Sequence, residues 1–327
     1  GPGNDGCGSV GSLRTPKRNE RLRTKNLYCL ALIPESGLIM NCIDQTIGDN
    51  FALYRGDCIE VLKGIPAASI DYSIFSPPFA SLYTYSNSPR DMGNCRTDAE
   101  FFEHFDYLIA ELRRVIKPGH NVSFHCMLLP TSKERDGYIG LKDFRGDLIR
   151  AFQKHGFIYA SEVCIWKDPV TAMQRTKALG LLHKTVRENA CMSRQGIPDY
   201  LVTMRCPGEM IDRVKHRAED YPVDQWQKVA SPVWMDINPS DTLQKDSARD
   251  HDDERHICPL QLEVIRRGVD LWTNPNDVVL SPFAGIGSEG YASIQMGRRF
   301  IGVELKDTYY KQASQNLKNA NKLTADL

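Results

Sequence analysis

Val278-Val279-Leu280-Ser281-Pro282-Phe283-Ala284-Gly285-Ile286-Gly287-Ser288-Glu289-Gly290 decides the fold. A short apolar strand runs into a glycine-rich turn, and residues 288–296 then carry a helical pattern. Glycines at such a turn let a ligand approach the backbone closely. Residues 300–304 read as the next strand, and Glu304, seventeen residues after Gly287, ends it. A carboxylate in that position can accept two hydrogen bonds from a ribose diol. The unit therefore reads as a site for a nucleoside-containing cofactor. Gly285, Gly287 and Gly290 also satisfy the GxGxxG spacing of dinucleotide sites, so NAD stays open as a competitor. Two features disfavour it. The unit lies near the end of the chain, with too few residues left for the rest of a dinucleotide half-sheet, and Pro282-Phe283 is not the usual entry to such a turn.

Outward from this unit the chain alternates strands and helices. Strands are predicted at 51–57, 70–75, 122–128, 157–166, 200–206 and 278–281, and helices at 58–64, 101–115, 141–154 and 260–272. Lys117-Pro118-Gly119 stops the helix before it. Near-continuous apolar strands separated by helices mean a mainly parallel α/β sheet covered on both faces. Two stretches, 167–198 and 207–255, break the rhythm. Loops of that length in an α/β domain call for function or disorder, and Trp226 and Trp234 in the second argue for some packed structure.

Asp71-Tyr72-Ser73-Ile74-Phe75-Ser76-Pro77-Pro78-Phe79 is the most specific segment. A strand runs straight into two prolines, which stiffen the backbone and fix the direction of its carbonyls. An aromatic exocyclic amine is a poor nucleophile because its lone pair is delocalised into the ring. Acceptors on its two N–H groups favour a pyramidal nitrogen with the lone pair turned outward. Ser76 Oγ and the Pro77 carbonyl can be those acceptors, and Phe79 can stack on the base. A base within a duplex must first be flipped out to reach them. Without the glycine loop, a rigid turn over a buried Phe would explain the segment equally well.

Ser76-Pro77-Pro78-Phe79 together with Pro282-Phe283-Ala284-Gly285-Ile286-Gly287 resembles the exocyclic-amino DNA methyltransferases that use S-adenosylmethionine. The catalytic motif precedes the cofactor motif with a long variable stretch between, which looks like the family's beta group. Arg55-Gly56-Asp57-Cys58 is similar to its Gly-Asp segment, and His256-Ile257-Cys258-Pro259-Leu260 to its His/Pro segment. The resemblance covers about residues 50–315 outside the variable stretches. It implies a Rossmann-like class I methyltransferase sheet, circularly permuted so that the catalytic half comes first, with an inserted target-recognition region. It further implies that Ser76, Pro77, Pro78 and Phe79 form the target-amine site. Phe283, Gly285 and Gly287 would line the methionine and ribose end of the cofactor, Glu304 would hold the ribose, and Asp57 would reach the cofactor's adenine amine. Ser281, His256 and Pro259 would complete the cofactor side. Two positions depart from the pattern. Ser281 stands where the family often has Asp, and Gly285-Ile286-Gly287-Ser288 where it often has Gly-Ser-Gly-Thr.

Members with Ser first in the catalytic motif are usually cytosine N4 enzymes, whereas adenine N6 enzymes usually carry Asp and end in Tyr. Ser76 and Phe79 thus favour cytosine, with adenine N6 the alternative. Carbon-5 methylation needs a thiolate nucleophile, and no cysteine here sits in a Pro-Cys loop. An RNA or free-base methyltransferase, and a non-catalytic nucleic-acid-binding protein with a vestigial cofactor pocket, are the remaining rivals.

The domains expected are 1–39, a disordered tag and extension; 40–169, the catalytic half; 170–255, the variable target-recognition region with a core strand near 199–206; and 256–327, the cofactor half. Gly1-Pro2-Gly3 reads as the remnant of an expression tag. The basic run from Arg14 to Lys25 offers few apolar residues to offset ordering. The 327 residues are 41% hydrophobic and 25% charged, without an apolar run long enough to span a membrane. Lys plus Arg equals Asp plus Glu at 41 each, which excludes a uniformly basic coat but not a local basic face. Segment 170–217 holds nine Lys/Arg against four Asp/Glu. Arg175, Lys177, Lys184, Arg187 and Arg194 are its candidate contacts to double-stranded DNA. A solvated helical face explains any one of them equally well. The ten cysteines show no CxxC pair or metal-ligand spacing, which points away from a metal and toward a reducing compartment. A cytoplasmic bacterial or phage enzyme is the simplest expectation, and a homodimer is a family expectation.

Overall fold

The segment Ile70–Phe75 is buried at all six positions, which a strand achieves only when both sheet faces are covered. In the computed structural model, which describes residues 40–78, 92, 95, 97–176, 178–243 and 259–325 (backbone alone at 175, 176 and 322–325), it is the middle of the sheet. The strands are β1 (Asp44–Ile47), β2 (Phe51–Arg55), β3 (Ile70–Phe75), β4 (Ile116–Met127), β5 (Leu129–Pro130), β6 (Leu141–Lys142), β7 (Ile158–Ile165), β8 (Asp199–Arg205), β9 (Val233–Trp234), β10 (Val278–Ser281) and β11 (Arg299–Glu304). The α-helices are α1 (Cys58–Lys63), α2 (Asp98–Val115), α3 (Lys133–Asp136), α4 (Phe144–Lys154), α5 (Pro169–Thr176), α6 (His183–Glu188), α7 (Val223–Ala230), α8 (Leu262–Trp272), α9 (Ser288–Gln295) and α10 (Asp307–Ala325).

Among the described residues one sheet runs in the order β1-β2-β11-β10-β3-β4-β8-β7-β9. The five strands from β2 to β4 are mutually parallel. Antiparallel β1 closes one side, and β8 and β7 extend the other as an antiparallel pair. The last strands of the chain, β10 and β11, thus lie between the first ones, as expected for a permuted Rossmann-like sheet. On one face Phe101, Phe105 and Phe152, from α2 and α4, form a ring cluster that reaches Phe124 of β4. On the other, α8, α9 and α10 bring Val264, Val269, Ala292, Ala313 and Leu317 into one core with Tyr72 and Ile74.

Several boundaries differ from the sequence reading. The strand expected from 122 begins at Ile116, because the chain passes from α2 into extended backbone without a connecting loop. The helix expected from 141 begins at Phe144. Asp143 Oδ1 caps it by accepting from Gly146 N at 3.0 Å, and Leu141–Lys142 pairs as β6 instead. The second long stretch is not all insertion. Val233–Trp234 adds a parallel edge strand to β7, and Trp234 is buried in the core, whereas Trp226 is exposed. Among the described residues no helix is long and apolar enough to cross a membrane.

Candidate active site

β10 and β3 are parallel neighbours, with Val279 beside Tyr72 and Leu280 beside Ser73. From β10 the chain crosses by α9 to β11 on one side, and from β3 it crosses by α2 to β4 on the other. That divergence is the switch point of an open α/β sheet, where a crevice opens at the carboxyl ends of the strands. The proline corner and the glycine loop both leave the sheet there. They touch: the Phe75 and Phe283 rings lie 5.8 Å apart. Pro77 is buried and Ser76 and Pro78 are half-buried. Phe79 lies outside the described residues.

On the glycine side, Ala284 N donates to Val303 O at 2.8 Å and Gly285 N to Glu304 Oε2 at 2.8 Å, which ties the turn to the end of β11. Glu304 Oε1 accepts from Lys306 N at 2.8 Å. Gly285 has φ +53, and a Cβ built on it would meet nothing within 4 Å, so the backbone here borders open space. Gly287 differs. Its φ is +88, and its added Cβ would stand 3.3 Å from Ala313 Cα, so a side chain here would press on α10. The GxGxxG match thus mixes one position beside open space with two that a side chain would crowd against α10 or Phe300.

Gly56 N donates to Glu304 O at 3.1 Å, which brings the Gly-Asp segment to the same edge. Asp57 caps α1 through Oδ1, accepting from Ile59 N at 2.9 Å and Glu60 N at 3.3 Å. Its second oxygen has no hydrogen-bond partner among the described residues. Ser281 is fully buried, and its Oγ has no hydrogen-bond partner among the described residues. Open space beside Gly285, carboxylates at Glu304 and Asp57, and an orphaned hydroxyl at Ser281 suit a ligand with hydroxyl and amine groups. Pro259 is half-buried ahead of α8, and among the described residues nothing places it beside the glycine loop. His256 lies outside the described residues.

Glu289, in the first turn of α9, is a carboxyl that the sequence reading passed over. Burial pushes it up to about 8, and the neighbouring Glu304 adds to the effect. Its value in the unfolded chain is about 4.3. The folded state therefore holds the extra proton between these limits, and stability falls as pH rises through that window, by up to about 1.4 kcal/mol per pH unit. Thermal unfolding from pH 5 to 9 should show the wild type losing stability relative to Glu289→Gln up to about pH 8, with no further divergence above it. Parallel profiles would remove the buried acid from the account.

A second group was also missed. His125 Nδ1 lies 3.2 Å from Ser76 Oγ, and His125 Nε2 lies 3.0 Å from Asp199 Oδ2. Lys167 Nζ holds the other Asp199 oxygen at 2.6 Å. A single histidine in an apolar strand gives no signal by itself, and its partner stands on a different strand.

The proposed DNA contacts fare unevenly. Lys184 and Arg187 are exposed on α6, with Lys184 paired to Glu188 at 3.5 Å. Arg194 is half-buried, its stem against Gly180 and its Nη1 donating to Gln195 O at 3.1 Å, so its side chain holds a turn. Lys177 and the side chain of Arg175 lie outside what is described.

The fold thus brings an open glycine turn, the Glu304 and Asp57 carboxylates and a rigid proline corner to one sheet edge. Residues 70–315 match the family model for DNA methylase, N6/N4 type, and the chain belongs to that family. It is similar to the DNA adenine methyltransferase YhdJ of Escherichia coli K12, 24% identical over 289 residues, which span 84% of this chain and 85% of the relative. Its fold is similar to that of a DNA modification methylase from Thermus thermophilus, TTHA0409, solved with S-adenosyl-L-methionine (TM-score 0.60, 22% identity, 83% of this chain and 96% of the other). It is also similar to the cytosine-N4-specific PvuII DNA methyltransferase (TM-score 0.56, 16% identity, 85% and 93%).

Proposed function

We propose that this DNA methylase takes the methyl group of S-adenosylmethionine to the exocyclic amine of a base flipped out of duplex DNA, and that this amine is N4 of cytosine. The observation that carries the reading is the contact of Phe75 with Phe283 at one sheet edge, which brings the proline corner beside the glycine loop. When bound, S-adenosylmethionine supplies an electrophilic methyl on a sulfonium, which is already a good leaving group. Gly285 admits it to the backbone, and Glu304 and Asp57 accept from its hydroxyl and amine groups. Ser76 Oγ and the Pro77 carbonyl accept the two N–H groups of the target amine and turn its lone pair toward the methyl. No base needs to act before attack, because alignment supplies most of the acceleration. The choice of cytosine rests on Ser76 at the head of the catalytic motif. The relation to the E. coli adenine methyltransferase favours the second reading, adenine N6.

Tritium-labelled methyl transfer to duplex DNA, to RNA and with no polymer tests the substrate class. Label in DNA alone is expected, and label in RNA alone would overturn the reading. Calorimetric titration should give binding heat with S-adenosylmethionine and none with NAD.

A further inference from the structure

Strand alternation puts Ser76 and His125 on one face. β3 and β4 are parallel, with Ile74 beside Ser123 and Phe75 beside Phe124, so the next step brings Ser76 level with His125. Asp199 opens the antiparallel neighbour β8 on the same face, and Lys167 follows β7 there. The result is a chain of polar atoms, Ser76 Oγ, His125, Asp199 and Lys167, at distances of 3.2, 3.0 and 2.6 Å. The Asp199 side chain is 4% exposed and that of His125 12%. Burial alone would raise the Asp199 carboxyl, but His125 and Lys167 outweigh it and hold it below the usual carboxylate range.

That carboxylate decides the histidine tautomer. The Nε2 contact is bent rather than aligned, since Nε2 has no partner of good hydrogen-bond geometry. Even so, a carboxylate oxygen 3.0 Å away repels a lone pair and draws the ring proton to Nε2. Nδ1 is then an acceptor, and the proton it takes is that of Ser76. With its own hydrogen turned to His125, Ser76 Oγ presents lone pairs to a substrate.

We infer that His125 is the positioning residue of the methyl-transfer site, holding Ser76 as a pure acceptor toward the target amine and receiving the reaction proton through it. The inference rests on the amine-methylation reading above. Its balance is simple. The N–CH3 bond forms as the S–CH3 bond breaks, leaving a neutral thioether and a positive amine nitrogen. One amine proton passes to Ser76 Oγ while the Ser76 hydroxyl proton passes to His125 Nδ1. The resulting imidazolium faces the Asp199 carboxylate, with Lys167 beyond it, and later gives its proton to solvent. Cys126, which strand alternation turns to the opposite face of β4, is acted on electrostatically by Asp199 first and then by Arg145, Glu162 and Asp143.

Three variants and one spectrum test this with unmethylated duplex plasmid DNA in single-turnover reactions. His125→Leu should transfer methyl about 10²–10³-fold more slowly. His125→Asn, whose amide oxygen can accept the Ser76 proton but cannot carry it onward, should recover part of that loss. The pH dependence of its transfer rate should differ from that of the wild type. The KM for DNA and the binding of S-adenosylmethionine should change less than threefold in both. In the free protein, ¹⁵N spectra of labelled histidine should show His125 as the Nε2–H tautomer, and this reading stands whether or not the variants fold. An Nδ1–H tautomer, or wild-type rates and an unchanged pH profile in both His125 variants, would overturn the inference. Ser76→Ala separates the two levels. If it is inactive while the His125 variants are normal, only the positioning role fails. If it is active, the amine-site reading itself fails.

Discussion

In a Ser76→Ala variant, methyl transfer to DNA is expected to fall at least about 10³-fold, while S-adenosylmethionine binds within about threefold of wild type. Under the proposed mechanism the hydroxyl is one of two acceptors offered to the amine, and its loss also removes the group that faces His125 Nδ1 at 3.2 Å. A thousandfold loss corresponds to about 4 kcal/mol of transition-state stabilisation. That is the scale of a missing preorganised hydrogen-bond group in a dry site. Stability should change little, because Ser76 is half-buried and alanine leaves no large cavity. Single-turnover kinetics and calorimetric titration check the two halves separately. Equal loss of both would mean the corner supports the cofactor rather than the amine.

The second large effect concerns Gly285. At φ +53 any side chain is strained by about 1–2 kcal/mol, and here it would also project into the open space beside the loop. Gly285→Val should weaken S-adenosylmethionine binding about 100-fold or more, near 2.7 kcal/mol. Gly297→Val is the control. Gly297 has φ +75 and open space beside it, but it stands ahead of β11, at the amino end of the strands and away from the crevice. Both variants should lose melting temperature, and only the first should lose the cofactor. Equal affinity in the two variants would show that the open space at Gly285 is not where the cofactor lies.

Much of this was readable from the chain because the deciding segments are local. The buried strand at 278–281 announces itself by Val278-Val279-Leu280 and the one at 70–75 by Ile70, Tyr72, Ile74 and Phe75, and the turns after them by Pro-Pro and by Gly-x-Gly. Their meeting at one edge follows from a parallel sheet with a switch point between them. What escaped the reading is non-local or weakly patterned. β1 is a polar four-residue edge strand with most positions exposed, and β9 has two residues. Neither carries a period that stands out from loop. α10 follows β11 at Asp307 with mixed polarity, and its apolar side becomes evident only where Tyr310, Ala313 and Leu317 meet the core. His125 and Asp199 become partners only through the antiparallel pairing of β4 with β8. Gly287 illustrates the converse. The motif was legible, but that a side chain there would press on Ala313 was not, because no local spacing reveals that neighbour.

Nucleoside mass spectrometry of DNA from a methylation-deficient host expressing this chain, compared with DNA from cells expressing Ser76→Ala, tests the account at its centre. The expected product is N4-methylcytosine in the wild type and none in the variant. N6-methyladenine would move the target base while keeping the chemistry; 5-methylcytosine, or the same methylated base in both samples, would contradict amine methylation at the Ser76 corner.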